Sequence, residues 1–278
     1  MLPAHSTFAA CIRLIICVAL FVAADQLGFA TDRICTPLSK DEISTPNYRV
    51  PLDVAWLGND VFVANSRTGT LSRVDMAGQK VNSEWQVAKS LSGLAAVKDH
   101  LLLLDDEQHR LLSVRPSAEA GEINLQVLSE IAVPRFPVDI AVSDDQSTIA
   151  VSSLWSRRLT LLAEDESGRL SQRHVIDLDF APRRLKFVSN DLLIVADSFG
   201  GRLQLVDPTQ GKLLASRNLY GHNIRGLDVN PKNGSLLVTC QTLNSGTFTS
   251  YERIFWGVVM QNGLHTISLT SLTADSAA

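Results

Sequence analysis

An all-β fold is the reading that three features of the sequence share. A hairpin pattern occupies residues 61–75: an apolar run from Val61 to Ala64, a polar turn at residues 66–69, and a second run ending at Asp75. The same pattern returns at residues 192–207 and, more weakly, at 101–115 and 149–162. Apolar runs separated by Gly, Asn, Asp and Ser are strand and turn chemistry. The third feature is negative. No ten-residue segment beyond the N-terminal apolar run has helical periodicity.

Each hairpin follows a similar lead-in: Pro51-Leu-Asp-Val-Ala, Ser92-Gly-Leu-Ala-Ala, Pro137-Val-Asp-Ile-Ala, Pro182-Arg-Arg-Leu-Lys and Ile224-Arg-Gly-Leu-Asp. Units starting at residues 51, 93, 137, 182 and 224 are spaced by 42, 44, 45 and 42 residues. Runs at Trp85, Gln126, His174 and Leu213 supply a last strand for the first four units. Four short strands in a period of the low forties make the blade of a β-propeller. A β-sandwich also has many short strands, but it would not repeat one lead-in five times. The prediction is a β-propeller of four-stranded antiparallel blades over residues 51–272, with about five blades and a short disordered tail at 273–278. Two closures stay open: a small five-blade ring, or an incomplete ring that is the front part of a longer propeller.

Upstream, Arg13 precedes an 11-residue apolar run at 14–24. That run is too short to span a bilayer and suits an export signal. Small residues at Val22-x-Ala24 or Gly28-x-Ala30 have cleavage spacing. Residues 1–30 therefore read as a signal peptide, which sends the chain to the periplasm or beyond and leaves no membrane span. Residues 31–50 contain Pro37 and Pro46 and read as a linker, with Ile43 and Tyr48-Arg-Val50 available as a ring-closing strand.

The 278 residues are 45% apolar and 19% charged, with a net charge of −4. This mildly acidic balance gives no electrostatic reason for nucleic-acid binding. Of four cysteines, Cys35 and Cys240 remain after signal cleavage. A disulfide and two unpaired thiols are both open readings, because nothing in the sequence sets their separation.

Catalytic templates are absent. The chain has no GxSxG, HExxH, CxxC or phosphate-binding glycine loop, and its six histidines have no ligand spacing. Two polar groups stand out. The lead-ins of units four and five carry Arg183, Arg184, His222, Asn223 and Arg225. In a propeller they lie near the mouth of the central channel, a place for an anion, a water chain or a metal; the plain alternative is a solvated channel with interblade ion pairs. Asp53 and Asp139 occupy the matching lead-ins of units one and three. With Asn223 they are the candidate metal ligands, although the arginines work against a cation. The second group is the insertion at 242–261, with Asn244, Tyr251, Arg253 and Trp256. Long loops and aromatic or arginine anchors are typical of interaction surfaces; the alternative is that Phe255 and Trp256 plug a blade interface. Trp155 beside Arg157 and Arg158 is a weaker candidate of the same kind.

Phe62-Val-Ala-Asn65 with Thr70-Leu-Ser-Arg-Val-Asp75 resembles the YVTN-type propeller repeat, as does Ile194-Val-Ala-Asp197 with Leu203-Gln-Leu-Val-Asp207. This resemblance covers residues 51 to about 243. The runs His222-Asn-Ile-Arg-Gly-Leu227, Leu237-Val-Thr-Cys-Gln-Thr-Leu-Asn244 and Phe255-Trp-Gly-Val-Val-Met-Gln-Asn262 are similar to a block of exported bacterial propellers. In that group the propeller is often followed by cytochrome-c-type, di-haem peroxidase-like domains. The resemblance implies a periplasmic, redox-associated protein with a c-type cytochrome as partner. The sequence departs from it in lacking CxxCH, so it has no c-type haem attachment site and no cofactor is expected. The expected function is a non-catalytic docking scaffold. The alternative is a metal-assisted lactonase-like hydrolase at the channel mouth.

Overall fold

The structure, a computed structural model, describes residues 29–30, 33–44, 48–119 and 122–273. Most of the expected signal peptide, residues 1–28, and the tail at 274–278 lie outside the described residues. The chain opens with two very short strands, β1 (Phe29–Ala30) and β2 (Ile34–Cys35), and one helical turn, α1 (Lys40–Ser44). Five antiparallel sheets follow in chain order. Blade one is β3 (Pro51–Leu57), β4 (Asp60–Asn65), β5 (Thr70–Asp75) and β6 (Lys80–Gln86). Blade two is β7 (Leu91–Val97), β8 (His100–Asp105), β9 (Arg110–Glu119) and β10 (Glu122–Ala132). Blade three is β11 (Pro137–Val142), β12 (Ile149–Ser153), β13 (Arg158–Glu164) and β14 (Leu170–Asp177). Blade four is β15 (Pro182–Ser189), β16 (Leu192–Asp197), β17 (Arg202–Asp207) and β18 (Lys212–Asn218). Blade five has three strands, β19 (His222–Val229), β20 (Leu236–Leu243) and β21 (Met260–Ile267), with α2 (Tyr251–Phe255) between the last two and α3 (Leu269–Thr273) after them.

The recurring acid at a strand end closes the turn that follows. Asp75 accepts from the N–H groups of Ala77 and Gly78, and Asp207 accepts from those of Thr209 and Gln210. An aspartate two residues upstream mimics a backbone turn partner. The residue before the third strand adopts positive φ in three blades, at Gly69, His109 and Arg157. Glycine is needed at the first of these, since a Cβ on Gly69 would come within 2.2 Å of the Ala88 carbonyl oxygen.

Packing joins neighbours in succession. The inner strands pack β3 on β7, β7 on β11, β11 on β15 and β15 on β19. One apolar cluster fills each blade-to-blade gap from one–two through four–five. Trp85 is fully buried in the first gap, and its indole N–H reaches across to the Ile123 carbonyl at 3.2 Å. Among the described residues no cluster joins blade five to blade one. Leu52, Val54 and Trp56 of β3 and Leu264 of β21 are instead exposed on the two end faces. The five blades therefore form an arc with open ends.

The expected ring-closing strand is corrected, and of the two open cysteine readings the unpaired one holds. The described residues among 31–50 do not close the ring: β1 and β2 pair with β10 and extend the outer edge of blade two to six strands. The outer edge of β10 offered unpaired N–H and C=O groups, whereas the proline-bearing stretch behind β2 cannot continue a ladder. Cys35 and Cys240 are free thiols, one on β2 at blade two and the other buried in β20 of blade five.

Candidate functional site

All five inner strands are irregular near their start, the first four by a one-residue slip and the fifth over a longer stretch. The pairing slips between Pro51 and Asp53, Leu91 and Gly93, Pro137 and Asp139, Pro182 and Arg184, and His222 and Gly226. Such a bulge bends the strand and re-aims side chains. In blade one Asp53 reaches across and accepts from the Leu94 N–H at 3.1 Å; in blade three Asp139 accepts from the Leu185 N–H at 2.8 Å. The lead-in aspartates thus lock one inner strand to another.

Asp139 also accepts from Arg184 Nη1 at 3.0 Å, while Arg184 Nε donates to the Arg225 carbonyl at 2.8 Å. Burial pushes the Asp139 carboxyl up to about 6, against the opposing pull of Arg184. Asp53, Asp139, Arg184, Lys186 and Arg225 line an open channel cleft of about 430 Å³. Asp53 and Arg184, with Ser66, Ser92 and Arg183, also line a smaller cleft of about 220 Å³. Arg183 forms no salt bridge among the described residues, and its pKa is lowered first by burial and then by the nearby Arg225 and Arg184 guanidinium groups. Asn223 lies elsewhere. Its amide donates to Gln241 at 2.7 Å, and Gln241 donates to Asn262 at 3.1 Å, an amide ladder across blade five. The three candidate metal ligands are therefore not gathered: two aspartates share a cleft with arginines, and Asn223 lines a separate pocket. Among the described residues no group of three His, Cys, Asp or Glu stands ready for a metal. His222 is half-buried at the start of β19.

The second set of candidates lies on one end of the arc. Turns between second and third strands, and the connections between blades, all emerge on the channel-mouth face, where the inner strands begin. Of the ten exposed Tyr, Phe and Trp among the described residues, nine belong to this face: Tyr48, Phe136, Trp155, Phe199, Tyr220 and four in the connection 244–259. The tenth is Trp56 on an end face. Trp155 of blade three and Phe199 of blade four meet at 5.4 Å between ring centres, although they are 60% and 52% exposed. Phe136 packs on His109 at 5.7 Å. In the blade-five connection Ser250 caps α2 by accepting from the Arg253 N–H at 3.3 Å. Tyr251 stacks on Phe255, Phe255 meets Trp256 edge-on, and Arg253 lies 3.8 Å over Phe248. Asn244 accepts from the Gly246 N–H at 3.3 Å and so braces the start of the connection. Phe255 and Trp256 are 67% and 75% exposed, so they do not plug a blade interface. A single exposed apolar residue is ordinary, but a contiguous patch marks an interaction surface.

Charge divides by face as well. The mouth-face turns hold Arg49, Arg67, Lys89, Arg135, Arg157 and Arg253 against Asp106, Glu107, Asp179 and Glu252, six basic to four acidic. The opposite turns hold Asp99, Asp144, Asp145, Asp165, Glu166 and Asp191 against Lys98, Arg169 and Lys232, six acidic to three basic, with no aromatic residue among those described. Sequence reasoning placed Tyr251, Arg253 and Trp256 on a surface loop but missed Phe199, Phe136 and Tyr220. Their signal is positional: Trp155 and Phe199 fall in the same turn of successive units, 44 residues apart.

No known family profile matches the sequence, and no curated protein does. Solved structures are similar in fold. Hydrazine synthase of Kuenenia stuttgartiensis aligns with a TM-score of 0.69 at 18% identity, over 84% of this chain and 67% of that one. A protein from Lactobacillus plantarum aligns with a TM-score of 0.61 at 16% identity, over 80% of this chain and 68% of that one. A Bacteroides uniformis protein provisionally assigned as a 6-phosphogluconolactonase aligns with a TM-score of 0.57 at 14% identity, over 79% of this chain and 71% of that one. At these identities the likeness concerns the propeller fold alone. In each case the chain spans about two thirds of the similar structure.

Proposed function

We propose that this chain is an exported, non-catalytic propeller that docks a protein partner on its channel-mouth face. The observation that supports the reading is the one-sided placement of exposed aromatic residues, nine of ten among the described residues lying on that face. Fully burying such a side chain stabilises an interface by roughly 1.5–3 kcal/mol relative to leaving it in water, and Trp, Tyr and Arg are the residues that dominate interface energies. The resemblance to YVTN-type propellers of the haem-linked group names the partner class as a c-type cytochrome of the periplasm. The signal-like residues 1–30 supply the route there. The chain itself brings no haem-attachment motif, so in this reading redox chemistry belongs to the partner.

The lactonase-like alternative finds less support. It needs a cation held by several donors, and the channel carboxylates are instead engaged by backbone N–H groups and Arg184.

The test is binding of purified periplasmic c-type cytochromes to the immobilised chain, wild type against Trp155→Ser/Phe199→Ser. Both side chains are exposed, so the fold is expected to survive. The reading predicts saturable binding weakened at least about tenfold, equivalent to 1.4 kcal/mol, in the double variant. Equal binding by both proteins would remove this face from the interaction.

A further inference from the structure

The charge on the docking face says what kind of partner surface fits it. Among the described residues, the cations of this face that form no salt bridge are Arg67, Arg135, Arg157 and Arg253 in the turns, with Arg183 and Arg225 at the channel lip; Arg157 is near enough to Asp179 to lower its pKa. Two of the four acids in the turns are engaged: Glu107 pairs with Lys89 at 3.3 Å, and Asp179 pairs with Arg202. Asp106 and Glu252 alone lack such a partner among the described residues of these turns. Just inside the lip, Asp53 directs both oxygens to the Val54 and Leu94 N–H groups, and Asp139 is held by Arg184 and Leu185. The free cations are interleaved with the exposed rings. Arg157 follows Trp155 by two residues, Arg135 precedes Phe136, Arg67 lies over Tyr48 at 5.9 Å, and Arg253 lies over Phe248.

We propose that the partner meets this face with an acidic surface, carboxylates ringing an apolar centre, and that one of its carboxylates enters the mouth cleft to pair with Arg183. This rests on the docking reading above and adds the charge class of the partner. The overall charge of −4 argues for the opposite, a basic partner. The local arrangement outweighs it because interactions beyond about 8–10 Å are screened at physiological salt, so the apposed face and not the whole-chain charge steers docking. Arg183 is the chosen anchor because it is half-buried, lines the mouth cleft beside Ser66 and Ser92, and faces like charges that a carboxylate would offset. A guanidinium fork holds a carboxylate through two parallel hydrogen bonds.

The experiment measures binding of three probes to the immobilised full chain at 20 and 200 mM NaCl: an acidic c-type cytochrome, a basic c-type cytochrome and poly-L-glutamate. Wild type is compared with Arg135→Glu/Arg157→Glu, two exposed positions without ion pairs, and with Arg183→Gln. The acidic cytochrome is expected to bind tighter than the basic one and to lose about tenfold or more in affinity between the two salt concentrations. Poly-L-glutamate should bind more weakly, and both sets of substitutions should reduce both interactions at least fivefold. Preference for the basic cytochrome, or binding that ignores salt and the substitutions, overturns the proposal. If neither cytochrome binds, the choice of a cytochrome partner fails; poly-L-glutamate then decides the charge class. Its binding with loss in the variants upholds an acidic partner, and its failure to bind overturns one.

Discussion

At the scale of single residues, two buried groups between blades give the stability a direction with pH. His100 of blade two bonds Glu164 of blade three at 2.8 Å and Asp99 at 3.1 Å, with only 2% of its side chain exposed. Burial alone would lower its pKa, but the hydrogen bonds and charges of Glu164 and Asp99 overcome this and hold it above 6.5. Ser113 donates to the same Glu164, and Arg115 binds Asp99. A raised histidine pKa contributes stability that is full below the unfolded value and is lost as pH rises through the folded one. Asp139 acts with the same sign in a lower window. Its carboxyl rises from 3.8 to about 6 on folding, so the folded state binds the extra proton and stability falls as pH rises between those values. Urea midpoints measured from pH 4 to 8.5 should therefore decline in two stages. His100→Gln should flatten the upper stage and Asp139→Asn the lower; an upper stage unchanged in His100→Gln would reject the histidine assignment. Gly69 is a third residue-scale test. At φ +65, and with an added Cβ falling 2.2 Å from the Ala88 carbonyl oxygen, Gly69→Ala should cost about 1–3 kcal/mol in denaturant unfolding, and a loss below a few tenths would contradict the close approach.

At the scale of elements, much of the architecture was legible and its additions were not. The repeating lead-ins announced inner strands because each begins a period-2 apolar pattern that a one-residue slip would turn inside out. The terminal acids Asp75 and Asp207 marked turns for a local reason, their bonds to the next N–H groups. Strands β1 and β2 are two residues each and carry no pattern at all; their place is set by the free edge of β10. The same limit hid the docking face. Phe136, Phe199 and Tyr220 are isolated in the sequence, and only the stacking of successive blades brings Phe199 against Trp155, which the sequence did single out. Cysteine chemistry belongs to this scale as well. Burial raises the thiol pKa of both Cys35 and Cys240, and they lie on blades two and five. Intact mass without reductant should match two free thiols. Alkylation of native protein should reach Cys35 before buried Cys240, and a mass 2 Da lower would contradict this placement.

At the scale of the whole molecule, the arc has three distinct surfaces. The opposite turns are acidic and, among the described residues, free of aromatic side chains. The end faces expose Leu52, Val54 and Trp56 on β3 and Leu264 on β21, which in a closed propeller would be core. An unmatched sheet face of this kind favours association. Sedimentation should show concentration-dependent self-association that Trp56→Lys reduces; a strictly monomeric wild type would mean that the end faces are not sticky. The mouth face combines exposed rings with arginines that form no salt bridge among the described residues, and it is the proposed docking surface. The most direct measurement is hydrogen–deuterium exchange of the full chain with and without a saturating acidic c-type cytochrome. The account predicts protection at residues 133–136, 154–157, 198–201 and 244–259, with the opposite turns at 143–148, 165–169 and 230–235 unchanged. Protection confined to those opposite turns, or to the end strands β3 and β21, would contradict it.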